Sequence, residues 1–418
     1  MDLSAYRSAL LNRRIASMLF LGFSSGLPLA LTAGTLMAWM AVAGVNIRTI
    51  GLFALVGAPY TLKFLWAPVM DRFAPPFLGR RRGWILTTQI ALLIAIVVMA
   101  FGSPVDSPTL IGIIAIITAF LGASQDIVID AYRTDILRPE ERGEGVAVFV
   151  AGYRIAMLVS GALALILSDH IGWRTTYMVM GALMTVGMAT ILLSPEPMTN
   201  GTPPRTLLEA AVNPLKDFFQ RRSAFALLLL IVLFKLPDAY AGIMTTPFLI
   251  RGMGFTPSEV GIVNKGFGLI SLIAGAMLGG ALMVRLGLFR SLIIFGLMQA
   301  GSNLAFSLLA ATGKNYPVMV FAVGVENFCG GMGTSAFVAM LMALCNRAYS
   351  ATQFALLSSL ASLGRVFISP SAGYVVDGVG WTQFFVIASL TGVPGLLLLW
   401  RLKSDVDGLE TKPLGQKG

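Results

Sequence analysis

Asp169-His170-Ile171-Gly172-Trp173 returns about 210 residues later as Asp377-Gly378-Val379-Gly380-Trp381. The frame Asp-x-x-Gly-Trp survives while the residues between change, and further matches follow in the same order. Leu27-Pro28 pairs with Leu236-Pro237, and Thr49-Ile50-Gly51-Leu52 with Glu259-Val260-Gly261-Ile262. Phe120-x-Gly122 recurs as Phe328-x-Gly330, and Arg154 corresponds to Arg365. One such match is weak. A series in register marks two halves built to one pattern.

Composition says what each half is made of. Hydrophobic residues form 56% of the 418 positions and charged residues 12%, far from the balance of a soluble domain. The chain divides into twelve apolar stretches, each able to cross a bilayer as a helix: 15–43, 49–70, 84–101, 109–134, 144–168, 173–193, 223–250, 258–284, 288–312, 315–345, 350–376 and 381–401. The fold expected is an all-α membrane protein of twelve transmembrane helices in two six-helix, pseudo-symmetric bundles. The bundles span 1–193 and 223–402, joined by a linker over 194–222 and followed by a tail over 403–418. In parallel repeats of this kind the substrate site is expected near midplane at the repeat interface.

The net charge of +10 would suggest nucleic acid in a soluble protein, but the positive residues are split among loops. With the N-terminus inside, only Arg48, Arg174, Arg251 and Lys314 fall on the outer side. The positive-inside rule then places both termini in the cytoplasm. The stretch after Arg14 is too long for a signal-peptide core and is expected to remain as the first span. Cys329 and Cys345 share one expected helix, about 24 Å apart along its axis, so they cannot bridge within it. The single His170 falls in a turn. Neither a metal site, a cofactor nor a histidine-based catalytic centre is expected, and the reading is not that of an enzyme.

Nine ionisable residues nevertheless lie inside the apolar stretches: Lys63, Asp126, Asp130, Arg154, Lys235, Asp238, Lys265, Glu326 and Arg365. Each costs about 3 kcal/mol on insertion scales unless it faces water or a partner. Together they outline a polar path, and hence a transporter. Asp126 and Asp130 share a helix face; two carboxylates there in low dielectric favour a proton on at least one. Asp126, Asp130, Asp238 and Glu326 are therefore the proton-coupling candidates. Five bases exceed four acids, which favours an anionic, carboxylate-bearing cargo. The binding candidates are Lys63, Arg154, Lys235, Lys265 and Arg365, with Gln125, Tyr153, Tyr240, Asn264 and Asn327 as polar neighbours. Ser24, Ser25 and Asn303 could serve likewise or simply bond between helices. Internal pairing among the charges remains the competing reading for each.

The loop Asp71-Arg72-Phe73-Ala-Pro-Pro-Phe-Leu-Gly79-Arg80-Arg81-Arg82 resembles the signature loop of the major facilitator superfamily, with longer spacing and Ala67 where glycine is usual. Its counterpart is Gly280-x4-Arg285-x-Gly287-x2-Arg290, in which Arg285 replaces the acid. The resemblance implies that Asp71, Arg72, Gly79, Arg80, Arg81 and Arg82 brace helix ends and bias the conformational switch. It also implies that helices three, six, nine and twelve lie outside the cavity. Those four helices carry none of the nine charges.

Longer runs resemble the AmpG muropeptide permeases: Gly22-Phe-Ser-Ser-Gly-Leu-Pro-Leu-Ala-Leu31, Lys63-Phe-Leu-Trp-Ala-Pro, Ala123-Ser-Gln-Asp-Ile-Val128 and Glu326-Asn-Phe-Cys-Gly-Gly-Met-Gly-Thr-Ser-Ala-Phe337. Glu141-Arg-Gly143, Val263-Asn-Lys265, Ala351-Thr-Gln-Phe-Ala-Leu356 and Gly364-Arg-Val366 extend the likeness along nearly the whole chain. That family implies proton-driven import of GlcNAc-anhydroMurNAc-peptides across the bacterial inner membrane, for peptidoglycan recycling and β-lactamase induction. A monomer is expected, with muropeptide, protons and the lipid bilayer as partners and no nucleic acid. Some enterobacterial members carry two further helices, so a twelve-helix member is expected here. The same scaffold carrying another organic anion or an acyl-CoA is the alternative.

Overall fold

The computed structural model describes residues 13–73, 75–137, 142–195, 223–344 and 357–411. Most of the expected linker, Cys345 and the last residues of the tail lie outside them. Every regular element among the described residues is helical. Nine of those helices are long and apolar enough to cross a membrane, and Ile47–Leu62 is a shorter apolar one.

Two of the nine are too long for one crossing. Val148–Leu193 has 46 residues and Leu357–Arg401 has 45, about 70 Å each at helical rise against a hydrocarbon core of about 30 Å. Each is interrupted inside, at Gly172 (φ 78°, ψ 161°) and at Gly380 (φ 80°, ψ 174°). These are the glycines of the repeated Asp-x-x-Gly-Trp frame. Positive φ with ψ near 180° is open essentially to glycine alone, so the frame keeps glycine where the chain must break. A second pair behaves alike. Gly79 (φ 72°) precedes the helix Arg80–Ala100 and Gly287 (φ 76°) precedes Leu288–Ser302. The repeat thus extends from residue identity to backbone geometry.

The second expected span, 49–70, is not one helix. It is a chain of short pieces: Ile47–Leu52, a 3-10 turn over Phe53–Gly57, Ala58–Leu62, a 3-10 turn over Lys63–Leu65, and Ala67–Arg72. Pro59 and Pro68 each stand at the start of a piece. Proline has no N–H to continue the preceding ladder but fits a first helical turn. Hydropathy marks the segment as apolar and says nothing of these breaks.

The chain forms two compact units. The first comprises Met1–Val45, Val56–Arg205 and Thr256–Gly261; the second comprises Asn46–Leu55, Thr206–Phe255 and Ile262–Gly418. In the first unit, Ile15, Met18, Leu21, Ile85, Val128, Ile129, Tyr132 and Ile191 build a buried core. In the second, Leu230, Ile231, Phe295, Ala336, Met340 and Leu399 do so. Both use glycine to bring backbones into contact. A Cβ on Gly152 would lie 2.0 Å from the Leu19 carbonyl oxygen, and one on Gly275 the same distance from that of Phe328. Small residues at such crossings are how helices associate where the solvent is itself apolar. Large apolar side chains such as Phe225 and Val284 point outward, as a bilayer permits.

Candidate functional site

In the first unit the polar groups gather around one carboxylate. Asp126, on the helix Pro108–Ile136, accepts a hydrogen bond from Ser25 Oγ of the helix Arg13–Thr32. Lys63 and Asp130 lie within electrostatic reach of Asp126. Asp130 instead pairs with Arg133 one turn along, at 3.1 Å. Tyr60 brings its hydroxyl against Gly122, where an added Cβ would meet the phenol oxygen at 2.2 Å. That oxygen is buried without a hydrogen-bond partner among the described residues. Tyr153 is half-buried beside the same acids. Arg154 is exposed, its guanidinium 3.9 Å from Met157 Sδ.

Gln125 takes a different place. It is fully buried and donates to Ser24 Oγ at 3.2 Å, as Gln89 does at 3.1 Å. Three helices are tied at that hydroxyl.

In the second unit the polar groups gather around two ammonium groups. Lys235 Nζ lies 2.8 Å from Thr334 Oγ1 and 3.4 Å from Asp238 Oδ2, with the Phe337 ring 5.7 Å away. Lys265 Nζ reaches Thr246 Oγ1 at 3.3 Å, and Asn264 Nδ2 reaches the same oxygen at 3.4 Å. Glu326 accepts from Asn327 Nδ2 at 2.8 Å and stands within electrostatic reach of Asp238, Lys265 and Lys235. Asn327 itself packs on Gly268, one turn from Lys265. Tyr240 is buried, its hydroxyl 3.0 Å from Ser371 Oγ. Arg365 is exposed. Lys265 and Arg365 both sit in π turns, Gly261–Phe267 and Gly364–Ile368, and such widened turns are frequent at functional sites.

The arginine loop does bind helix ends. Arg81 Nε meets Asp135 Oδ2 at 2.9 Å, and Arg82 donates to the carbonyls of Ile191 and Leu192 at 3.0 Å each. Those carbonyls end a helix, so a cation there also offsets the helix dipole. Of Asp71 and Arg72 only the backbone is described. Tyr60, Gln89, Thr246, Thr334 and Ser371 are site residues that the sequence did not single out. Hydroxyls in membrane helices are common, and nothing in their spacing separates these from residues that bond to their own backbone.

A membrane-spanning, all-helical chain with polar and charged groups held inside each of two units is a multi-pass membrane transporter. The family model of the Major Facilitator Superfamily matches residues 15–325 and 238–417. The Anhydromuropeptide permease of Escherichia coli is 55% identical over 387 residues, covering 92% of this chain and 79% of that protein. Putative transporter AmpG 4 of Rickettsia felis is 35% identical over 404 residues, covering 94% of this chain and 97% of that one. Among solved structures, nucleoside transporter NupG superposes with a TM-score of 0.73 at 12% identity, covering 93% of this chain and 99% of that one. The D-xylose-proton symporter gives 0.70 at 15%, covering 94% and 97%. At such identities these two share the fold alone. The chain belongs to the Major Facilitator Superfamily and, within it, to the AmpG permease family.

Proposed function

We propose that the chain imports GlcNAc-anhydroMurNAc-peptides from periplasm to cytoplasm by proton-coupled alternating access. It does so as a monomer in the bacterial inner membrane, feeding peptidoglycan recycling and β-lactamase induction. The observation that carries this reading is the 55% identity, across 92% of the chain, with a protein named Anhydromuropeptide permease. The topology proposed is twelve spans with both termini cytoplasmic. Its support is the pair of double-length helices broken at Gly172 and Gly380, the shorter Ile47–Leu62, and the crowding of arginine on one side.

For coupling, we propose Asp126 as the proton carrier. It is held by the Ser25 hydroxyl with no base in ion-pair contact, so a proton can come and go without breaking an ion pair; Glu326, held by the Asn327 amide, is the other interior acid of that kind. Asp130 has Arg133 and Asp238 has Lys235. The arginine loop, by tying Asp135 and the Ile191–Leu192 end, is proposed to bias the conformational switch.

The test is uptake of labelled anhydro-muropeptide into vesicles under an inward proton gradient. Accumulation that collapses with an uncoupler is the expected result. Uptake indifferent to the uncoupler would remove the coupling, and no uptake would remove the cargo in favour of another organic anion.

A further inference from the structure

The cations of the second unit are not equivalent. Lys235 is compensated internally, by Asp238 and by Thr334. Arg365 is exposed, where water can solvate it. Lys265 is half-buried, and among the described residues no carboxylate lies within ion-pair distance of it. Its one hydrogen-bond acceptor, Thr246 Oγ1, is shared with the amide of Asn264. An ammonium brings three N–H groups and a carboxamide two, so this spot holds more donors than acceptors. Glu326 stands within electrostatic reach of Lys265 but outside ion-pair distance, with one of its oxygens accepting from Asn327. Lys265 also stands in the π turn Gly261–Phe267.

We infer that Lys265, with Asn264 beside it, anchors a carboxylate of the cargo's peptide arm and so sets the transporter's preference for cargo with free peptide acids. This rests on the transport reading above and adds to it which end of the cargo the second unit reads. A sugar presents hydroxyls and acetamides, which both donate and accept. A carboxylate only accepts, and it brings the negative charge that no group within ion-pair distance gives Lys265 among the described residues. Charge-assisted bonds of this kind are also the stronger ones. The first unit offers the opposite chemistry, with Asp126, Tyr60 and Ser25 suited to hydroxyl groups and to a proton. Lys63 is half-buried there, within electrostatic reach of Asp126, whose carboxylate accepts from Ser25.

The experiment uses the full-length protein in proteoliposomes and two probes: an anhydro-muropeptide with free peptide carboxylates, and the same molecule with those carboxylates amidated. The wild type should favour the free acid about tenfold, the size of one good charge-assisted contact. Lys265→Gln should lose that preference, binding the free acid about tenfold more weakly and the amidated probe unchanged. Asn264→Leu should lower the ratio by a smaller factor, and carries the test if the lysine variant does not fold. Equal weakening for both probes would make Lys265 structural and overturn the inference. So would a wild type that treats the probes alike. Wild-type protein that transports neither probe would overturn the cargo reading and this inference together, whereas transport of both probes without preference overturns the inference alone.

Discussion

The two units share a backbone plan and differ in interior chemistry. Gly79 and Gly287, and Gly172 and Gly380, hold the same glycine-only conformations at repeat-related positions. Inside, the first unit centres on a carboxylate steadied by a serine, while the second centres on lysines steadied by threonines. Ser24 ties Gln89 and Gln125 in the first unit. In the second, Gln299 lies against Gly333, with neither end of its amide hydrogen-bonded to the described residues. Repeats therefore preserve what the chain needs in order to turn and cross, and leave the polar interior free to diverge. The proposed division of labour, proton handling in one unit and anion handling in the other, rests on that divergence.

That contrast can be broken by substitution. The largest effect is expected for Asp126→Asn. One pH unit drives at most about tenfold accumulation per proton, and the variant should fall to about onefold while still exchanging cargo across vesicles. Accumulation equal to wild type would end the assignment. Glu326→Gln sharpens the same comparison. Accumulation should persist; lost accumulation would move the proton site to the second unit.

Gly172→Val and Gly380→Val should each cost about 1–3 kcal/mol, because valine cannot adopt that backbone without strain. Thermal melting of the purified protein should show similar losses for both, and unequal losses would limit the symmetry to sequence. Arg82→Ala gives up two bonds to carbonyls, about 1–2 kcal/mol by the usual net value per bond, read by the same melt. The smallest effect belongs to Arg48→Ala. Its pair with Asp377 at 2.8 Å is exposed, with Tyr374 nearby, and exposed pairs contribute no more than about 1 kcal/mol.

Much of this architecture was legible in residue order. The apolar stretches marked the long helices, and the repeated Asp-x-x-Gly-Trp frame falls where two of them break, at Gly172 and Gly380. Of the nine charged residues within those stretches, Arg154 and Arg365 are exposed, which their spacing in sequence does not reveal. Less legible was the second span, whose pieces depend on Pro59 and Pro68 acting as starts rather than on mean hydropathy. Gln125 is expected, as a polar neighbour, to line the binding site. One position from Asp126 on the same helix, it points elsewhere, at Ser24.

The sequence by itself determined that this chain crosses a membrane repeatedly, that it is a tandem repeat, and which charged residues must be sheltered. Those properties are local: the cost of inserting a residue and the allowed dihedrals of a glycine depend on the residue and its near neighbours. Only the tertiary structure decided who shelters whom. Ser25 and Asp126 stand 101 positions apart, Lys235 and Thr334 99. It also decided that residues 46–55 and 256–261 each belong to the unit opposite their own half of the sequence. Hydrogen bonds form over about 3 Å, and no periodicity in one chain fixes a distance that short between helices so far apart in sequence.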